Sequence, residues 1–145
     1  MRFLLDTVVI SETRKARPNI NVTRWFATLS DDDVRVSVAS LYEIRRGIAM
    51  AERRDPPFAT LLTRWLAEMS PTYSARLIPI DARIAVRWGS LSGSVGHPGA
   101  DLIIAATALE HDLIVATRNI SDFLPAGVPV LNPFEPNPAV VRPPL

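Results

Sequence analysis

The stretch GADLIIAATALEHDLIVATRNISDF, Gly99–Phe123, decides how the rest of the chain reads. Leu102, Ile103, Ile104, Ala105, Ala106, Ala108 and Leu109 leave almost no polar face, so the spacing predicts a helix buried on all sides. LIVAT then reads as a strand, and TRNISDF as a polar loop. A helix buried all round and followed at once by an apolar strand belongs to helices packed on a mostly parallel sheet. Asp101 in the first turn of that helix has a ready structural role, because an acid there is favoured by the helix dipole by roughly 0.3–1 kcal/mol. Its surroundings are unusually greasy for an acid, and that makes it a candidate for more.

Working outward, FLLDTVVI (Phe3–Ile10) is a continuous aliphatic run and predicts a strand buried on both faces, with Asp6 inside it. A buried ionised carboxylate needs a partner or a metal. NINVTRWFATL has helical spacing, and DDDVRVSVASL turns from polar to a strand alternating Val34, Val36 and Val38. SLYEIRRGIAMAERR predicts a helix ended by Pro56-Pro57, and FATLLTRWLAEM another stopped near Pro71. ARLIPI reads as a strand, DARIAVRWGSLSG as a helix closed by Gly93, and VPVLNP as a last short strand. The fold expected is an α/β three-layer sandwich, a mostly parallel central sheet flanked by helices. One domain spans 1–134, and 135–145 is a proline-rich extended tail.

The chain has 145 residues, enough for one well-formed core. It contains no cysteine, which excludes disulfides, thiolate zinc sites and a cysteine nucleophile. The opening apolar run is interrupted by Asp6 and lacks the form of a signal peptide, and no later run is long enough to span a membrane. A cytoplasmic protein is expected. Net charge is only +1, so any polyanion must be held by local clusters such as Arg14, Lys15 and Arg17, or Arg45 and Arg46.

Four acids stand out. Asp6 lies in the first apolar run, and Asp101 opens the central helix. Glu43 follows Ser40 with capping-box spacing, which alone is structural. If the helix starts near Ser37 instead, Glu43 falls a turn inside and is free. Asp122 sits among turn-forming residues. In open parallel sheets ligands bind beyond the carboxyl ends of the strands, and all four acids map to that edge. Clustered carboxylates repel, and a hard divalent cation removes the repulsion. Mg²⁺, with Mn²⁺ as a substitute, fits oxygen ligands and substrate phosphates. His97 and His111 read as a loop residue and a helix-end contact, so zinc and copper are poorly supported. Metal-assisted hydrolysis of a phosphodiester is the chemistry such a site suits.

The motifs LLDTVVIS, YEIRRG, GADLIIAATALEHDLIVATRN and RNISDF, in that order, resemble the PIN-domain ribonucleases, specifically the VapC-type toxins of toxin–antitoxin pairs. SETRKARPN and VLNPFEP are similar to the FitB-like branch. The resemblance covers nearly the whole chain. It implies an acidic quartet of Asp6, Glu43, Asp101 and Asp122, with Asp6 and Asp101 as the direct metal ligands. Asn119 stands at a position that is acidic in some relatives. Thr7 and Thr117 match hydroxyl residues lining the family's pocket, and Arg46 and Arg118 lie closer in sequence to the acids than Arg53 and Arg54 do. One departure is Val8, where the family's first motif usually carries Asn.

The resemblance implies an endoribonuclease, an RNA substrate, a small antitoxin partner, a homodimer, and DNA contacted only through the antitoxin. A rival reading is a weakly active or inactive module that mainly partners a DNA-binding antitoxin, which Val8 favours. A phospho-accepting receiver-like domain would need paired acids at the first strand and a lysine after the last, and neither is present. No aromatic platform for stacking bases is evident in the sequence.

Overall fold

The computed structural model describes residues 1–144. Leu145, the last residue of the expected tail, lies outside the described residues.

The elements run β1 (Phe3–Leu5), α1 (Thr7–Glu12), α2 (Ile20–Ala27), β2 (Val34–Ser37), α3 (Val38–Arg54) and α4 (Pro56–Tyr73). They continue with β3 (Leu77–Ile78), α5 (Ala82–Val95), α6 (Ala100–Glu110), β4 (Ile114–Ala116), α7 (Ile120–Phe123), β5 (Val130–Leu131) and β6 (Val140–Val141). The sheet order is β3-β2-β1-β4-β5-β6. The first five strands are parallel and β6 pairs antiparallel with β5. The three-layer α/β sandwich expected from the sequence is the fold observed.

Two cores fill the space on either side of the sheet. Leu4 and Val115 point to one, packed with Leu102, Ile104 and Phe123. Phe3, Leu5, Ile114 and Ala116 point to the other, packed with Val9, Ile10, Trp25, Ile44 and Ile48. This alternation is the period of a strand that is buried on both faces. The central helix α6 is buried as its composition requires, and Thr107, its one buried hydroxyl, donates to Ile103 O at 2.8 Å. Its exit is a tight turn in which Leu113 N–H reaches back to Ala108 O at 2.9 Å and Asp112 takes φ 53°. A short acidic side chain tolerates that left-handed conformation better than most.

Several elements differ from the sequence reading. Phe3–Ile10 is not one strand: β1 stops at Leu5 and Thr7 starts a helix, with Asp6 as its N-cap. A short apolar run of β-branched residues fits a buried strand and a buried helical turn equally, and the acid marks the break. β2 likewise ends at Ser37, so Val38 belongs to α3. Helix α4 carries Pro71 within its final turns and runs on to Tyr73. Helix α5 passes Gly93 and closes at Gly96, at φ 100°. The proline-rich segment does not hang free, because Val140 and Val141 return to extend the sheet beside β5.

Ser37 sets the start of α3. Its hydroxyl accepts from Ala39 N–H at 3.0 Å in a fully buried setting. Ser37→Ala removes that acceptor and strands a buried amide, so a loss of about 1–2 kcal/mol is expected. A lower urea midpoint with an unchanged slope is the signature to look for.

Candidate active site

The strand order reverses at β1: chain growth runs outward through β2 and β3 on one side and through β4 and β5 on the other. The boundary between β1 and β4 is therefore the switch point where parallel sheets open a ligand crevice at their carboxyl ends. Leu5 pairs with Ala116 in the last register of this seam. The next residues on the two strands are Asp6 and Thr117, and they meet.

Asp6 N–H donates to Ala116 O at 2.9 Å, which extends the ladder by one step. Its carboxylate then accepts from Thr117 Oγ1 at 2.8 Å on one oxygen and from Thr7 N–H at 2.8 Å on the other. Thr117 Oγ1 in turn accepts from Asn119 N–H at 2.9 Å. The side chain of Thr7 donates to Glu43 Oε1 at 2.7 Å, and its hydroxyl lies 3.1 Å from Ser40 Oγ. Ser37, not Ser40, caps α3, so Glu43 lies in the second turn and is free to face the cleft. Of the two starts for α3 open in the sequence, the one that releases Glu43 is realised.

Asp6, Thr7, Val8, Ser11, Glu43, Asp101, Asn119, Asp122 and Phe123 line a single cleft of about 250 Å³. All four acids singled out in the sequence are thus brought together, from elements as distant as β1 and α7. No lysine, arginine or histidine is in that lining among the described residues. Larger grooves elsewhere on the molecule mix signs, as at Arg87 and Glu110 or Arg24 and Asp33, and none gathers acids.

Asp6 is 8% exposed. Burial pushes its carboxyl from the ordinary 3.8 up to about 6, against the lowering effect of the Thr117 and Thr7 hydrogen bonds, and Glu43 and Asp101 raise it further by repulsion. Those two acids are therefore near enough to be felt at Asp6. Asp122, exposed on the short helix α7, is the outer member of the set. Asn119 caps that helix by position without a side-chain hydrogen bond to it, which leaves its amide uncommitted there.

The donors offered are carboxylates, hydroxyls and one amide, which suits a hard cation. Among the described residues no three acids or histidines form a ready-made ligand cage. Mg²⁺ keeps several waters and takes only one or two carboxylates from the protein, so it does not require such a cage.

Two basic residues singled out in the sequence stand outside the cleft. Arg46 is exposed on α3, almost one turn beyond Glu43. Arg118 is exposed, with its guanidinium carbon 3.7 Å from the centre of the Phe134 ring. His97 is exposed in the loop before α6, where its Nδ1 accepts from Gly99 N–H at 3.1 Å. The sequence reading passed over Glu12. It is buried, accepts from Asn19 N–H at 2.9 Å and pairs with Lys15 at 2.7 Å. Lys15 holds it below the usual glutamate range. It lies just beyond the run that reads as a strand, as the last residue of α1, which concealed it.

No helix of the described residues is long and apolar enough to cross a membrane. The sequence profile described as PIN domain matches residues 3–123. The chain is 34% identical over 139 residues to "Toxin FitB" of Neisseria gonorrhoeae, a match spanning 90% of this chain and 97% of that protein. It is also 34% identical over 140 residues to "VapC ribonuclease Y4jK" of Sinorhizobium fredii, spanning 92% and 98% respectively. The crystal structure of FitAcB from Neisseria gonorrhoeae contains a chain that matches with a TM-score of 0.80 at 33% identity, covering 92% of this chain and 99% of that one. This chain belongs to the PIN-domain family, in its branch of FitB- and VapC-type toxins.

Proposed function

We propose that the protein is a Mg²⁺-dependent endoribonuclease and the toxin of a toxin–antitoxin pair. The observation that carries this reading is the desolvated Asp6, joined by Glu43 and Asp101 in a cleft whose lining holds no cation. A bound divalent cation would supply charge neutralisation, an activated water and stabilisation of the leaving oxygen. Mn²⁺ would serve in its place.

Asp6 and Asp101 are the residues assigned to hold it. Thr117 and Thr7 fix both oxygens of Asp6, so its orientation is set before any ligand arrives. Thr7 likewise aims Glu43, which takes the proton from the attacking water as the new O–P bond forms and the bond to the leaving ribose oxygen breaks. Asp122 and Asn119 close the outer rim, and Arg46 and Arg118 provide phosphate contacts on either side.

The relatives' printed names, a toxin and a VapC ribonuclease, support the assignment to RNA. The partners that follow are a small antitoxin, a second copy of this chain, and DNA reached only through the antitoxin. The setting is cytoplasmic.

A generic single-stranded RNA incubated with Mg²⁺, Mn²⁺ or EDTA tests the reading. Cleavage is expected with either metal, none with EDTA, and a loss of at least about a hundredfold in Asp101→Asn, since removing a ligand exceeds the effect of removing its supporting partners. Metal-independent cleavage, or an Asp101→Asn enzyme of full activity, would refute it. Val8 favours a second reading, a weak or inactive module acting chiefly through its antitoxin. Absence of cleavage with the antitoxin complex intact would select that one.

A further inference from the structure

We propose that Arg118, stacked on Phe134, is a platform that takes up one unpaired nucleobase of the substrate beside the acidic cleft. The inference rests on the ribonuclease reading and names a residue pair that positions the RNA there.

A guanidinium carbon 3.7 Å from a ring centre is in van der Waals contact with the ring. The guanidinium thus lies against the face of the ring. Phe134 is held from both sides: its N–H donates to Asn132 Oδ1 at 3.0 Å and its carbonyl accepts from Asn21 Nδ2 at 2.8 Å. The backbone that carries the ring is therefore anchored, and the side chain packs against the second core. Phe134 follows β5 closely, at the same carboxyl rim as the cleft.

Arg118 stands between Thr117, which binds Asp6, and Asn119, which lines the cleft. Among the described residues it makes no ion pair and no side-chain hydrogen bond. Glu12, an acid that feels the charge of Arg118, is already engaged by Lys15 and Asn19. One face of the guanidinium is covered by Phe134, and the exposed side chain keeps its other face and its N–H edge available. Arginine planes and aromatic rings are what proteins use to stack splayed bases, and the N–H edge suits an adjacent phosphate oxygen. Bases in a duplex are stacked on one another and cannot take this place. Phe134 acts as a positioning residue through Arg118.

The test uses the full-length protein in EDTA, so that binding is separated from cleavage. The probes are a single-stranded RNA oligonucleotide carrying 2-aminopurine at successive positions and a hairpin duplex of equal length. Quenching of 2-aminopurine is expected at one position of the single strand and at none of the duplex. Arg118→Lys, which keeps the charge and loses the plane, is expected to weaken single-strand binding by roughly five- to tenfold and abolish the quench, with an unchanged salt slope. Phe134→Leu is expected to do the same while Arg118 retains its charge. Equal quench and affinity in Arg118→Lys, duplex binding as tight as single-strand binding, or no single-strand binding by the wild type would each overturn the platform. A wild type that quenches and binds as described yet never cleaves with Mg²⁺ would instead sink the ribonuclease reading alone.

Discussion

Asp6→Asn is expected to abolish metal-dependent cleavage and, in EDTA, to make the protein harder to unfold. The two effects have one origin. Asp6 is almost fully buried and shares its cleft with Glu43 and Asp101, so its ionised form is unfavourable in the folded state. Its carboxyl titrates near 6 when folded and near 3.8 when unfolded. Between those values the folded state binds more protons, so stability falls as pH rises from about 4 to about 6 and is level above that. The difference of about two pKa units corresponds to roughly 3 kcal/mol.

An amide at this position carries no charge to desolvate. It also keeps the local geometry: the Asn oxygen accepts from Thr7 N–H, and its NH₂ donates to Thr117 Oγ1, whose hydrogen turns elsewhere. Urea unfolding at pH 7.5 in EDTA is therefore expected to show Asp6→Asn more stable by up to about 3 kcal/mol, with the gap closing as the pH approaches 4. Mg²⁺ at a thousand times its Kd reverses the order, because it adds about 4.1 kcal/mol to the protein that binds it. If Asp6→Asn is less stable than wild type in EDTA at pH 7.5, the carboxylate is not under the electrostatic stress assigned to it, and the case for a cation in this cleft fails with it.

The sequence disclosed most of this arrangement because the fold rests on composition that two-sided burial demands. The near absence of polar residues in Leu102–Leu109 reads as a buried helix, and the apolar runs around Leu4 and Val115 read as strands deep in a sheet. Once the sheet is parallel, its carboxyl rim makes candidates of Asp6, Glu43, Asp101 and Asp122 without any knowledge of contacts. What stayed hidden was decided by small energies or by contacts far apart in the chain. Thr7–Ile10 suits strand and helix alike, and only the acid that caps it settles the matter. Ser37 and Ser40 both offer caps for α3, and the choice between them determines whether Glu43 is structural or faces the cleft. Thr117 and Asp6 are 111 positions apart, and Arg118 meets Phe134 through the docking of two separate loops. No local pattern encodes either contact. The proline-rich end misled for a different reason: its prolines suit an extended chain, and an extended chain is also what an edge strand requires.

Val8→Asn is expected to tighten Mg²⁺ binding by about tenfold or more, within the 10–100-fold range typical of groups that support metal ligands through hydrogen bonds. Val8 lines the acidic cleft directly after Thr7, and its half-buried side chain also packs on the core beneath α1. It offers the surrounding carboxylates no hydrogen bond. Asn at this position brings an NH₂ into a lining that otherwise supplies carboxylates, the Thr7 and Ser11 hydroxyls and the amide of Asn119. A donated hydrogen bond favours the ionised form of whichever acid receives it, and only the ionised form binds a cation. The exchange loses apolar contact beneath the helix, so the metal-free variant is expected to be less stable by about 1 kcal/mol, while Val and Asn have similar helix propensities. Isothermal titration of both proteins with Mg²⁺ at pH 7.5, paired with initial cleavage rates at subsaturating metal, measures the effect. A tighter Kd with a faster rate at low Mg²⁺ and equal rates at saturation means that Val8 restrains the enzyme through metal occupancy alone. Identical affinities would mean that position 8 does not reach the metal site, and the weak-module reading would lose the one residue that favours it.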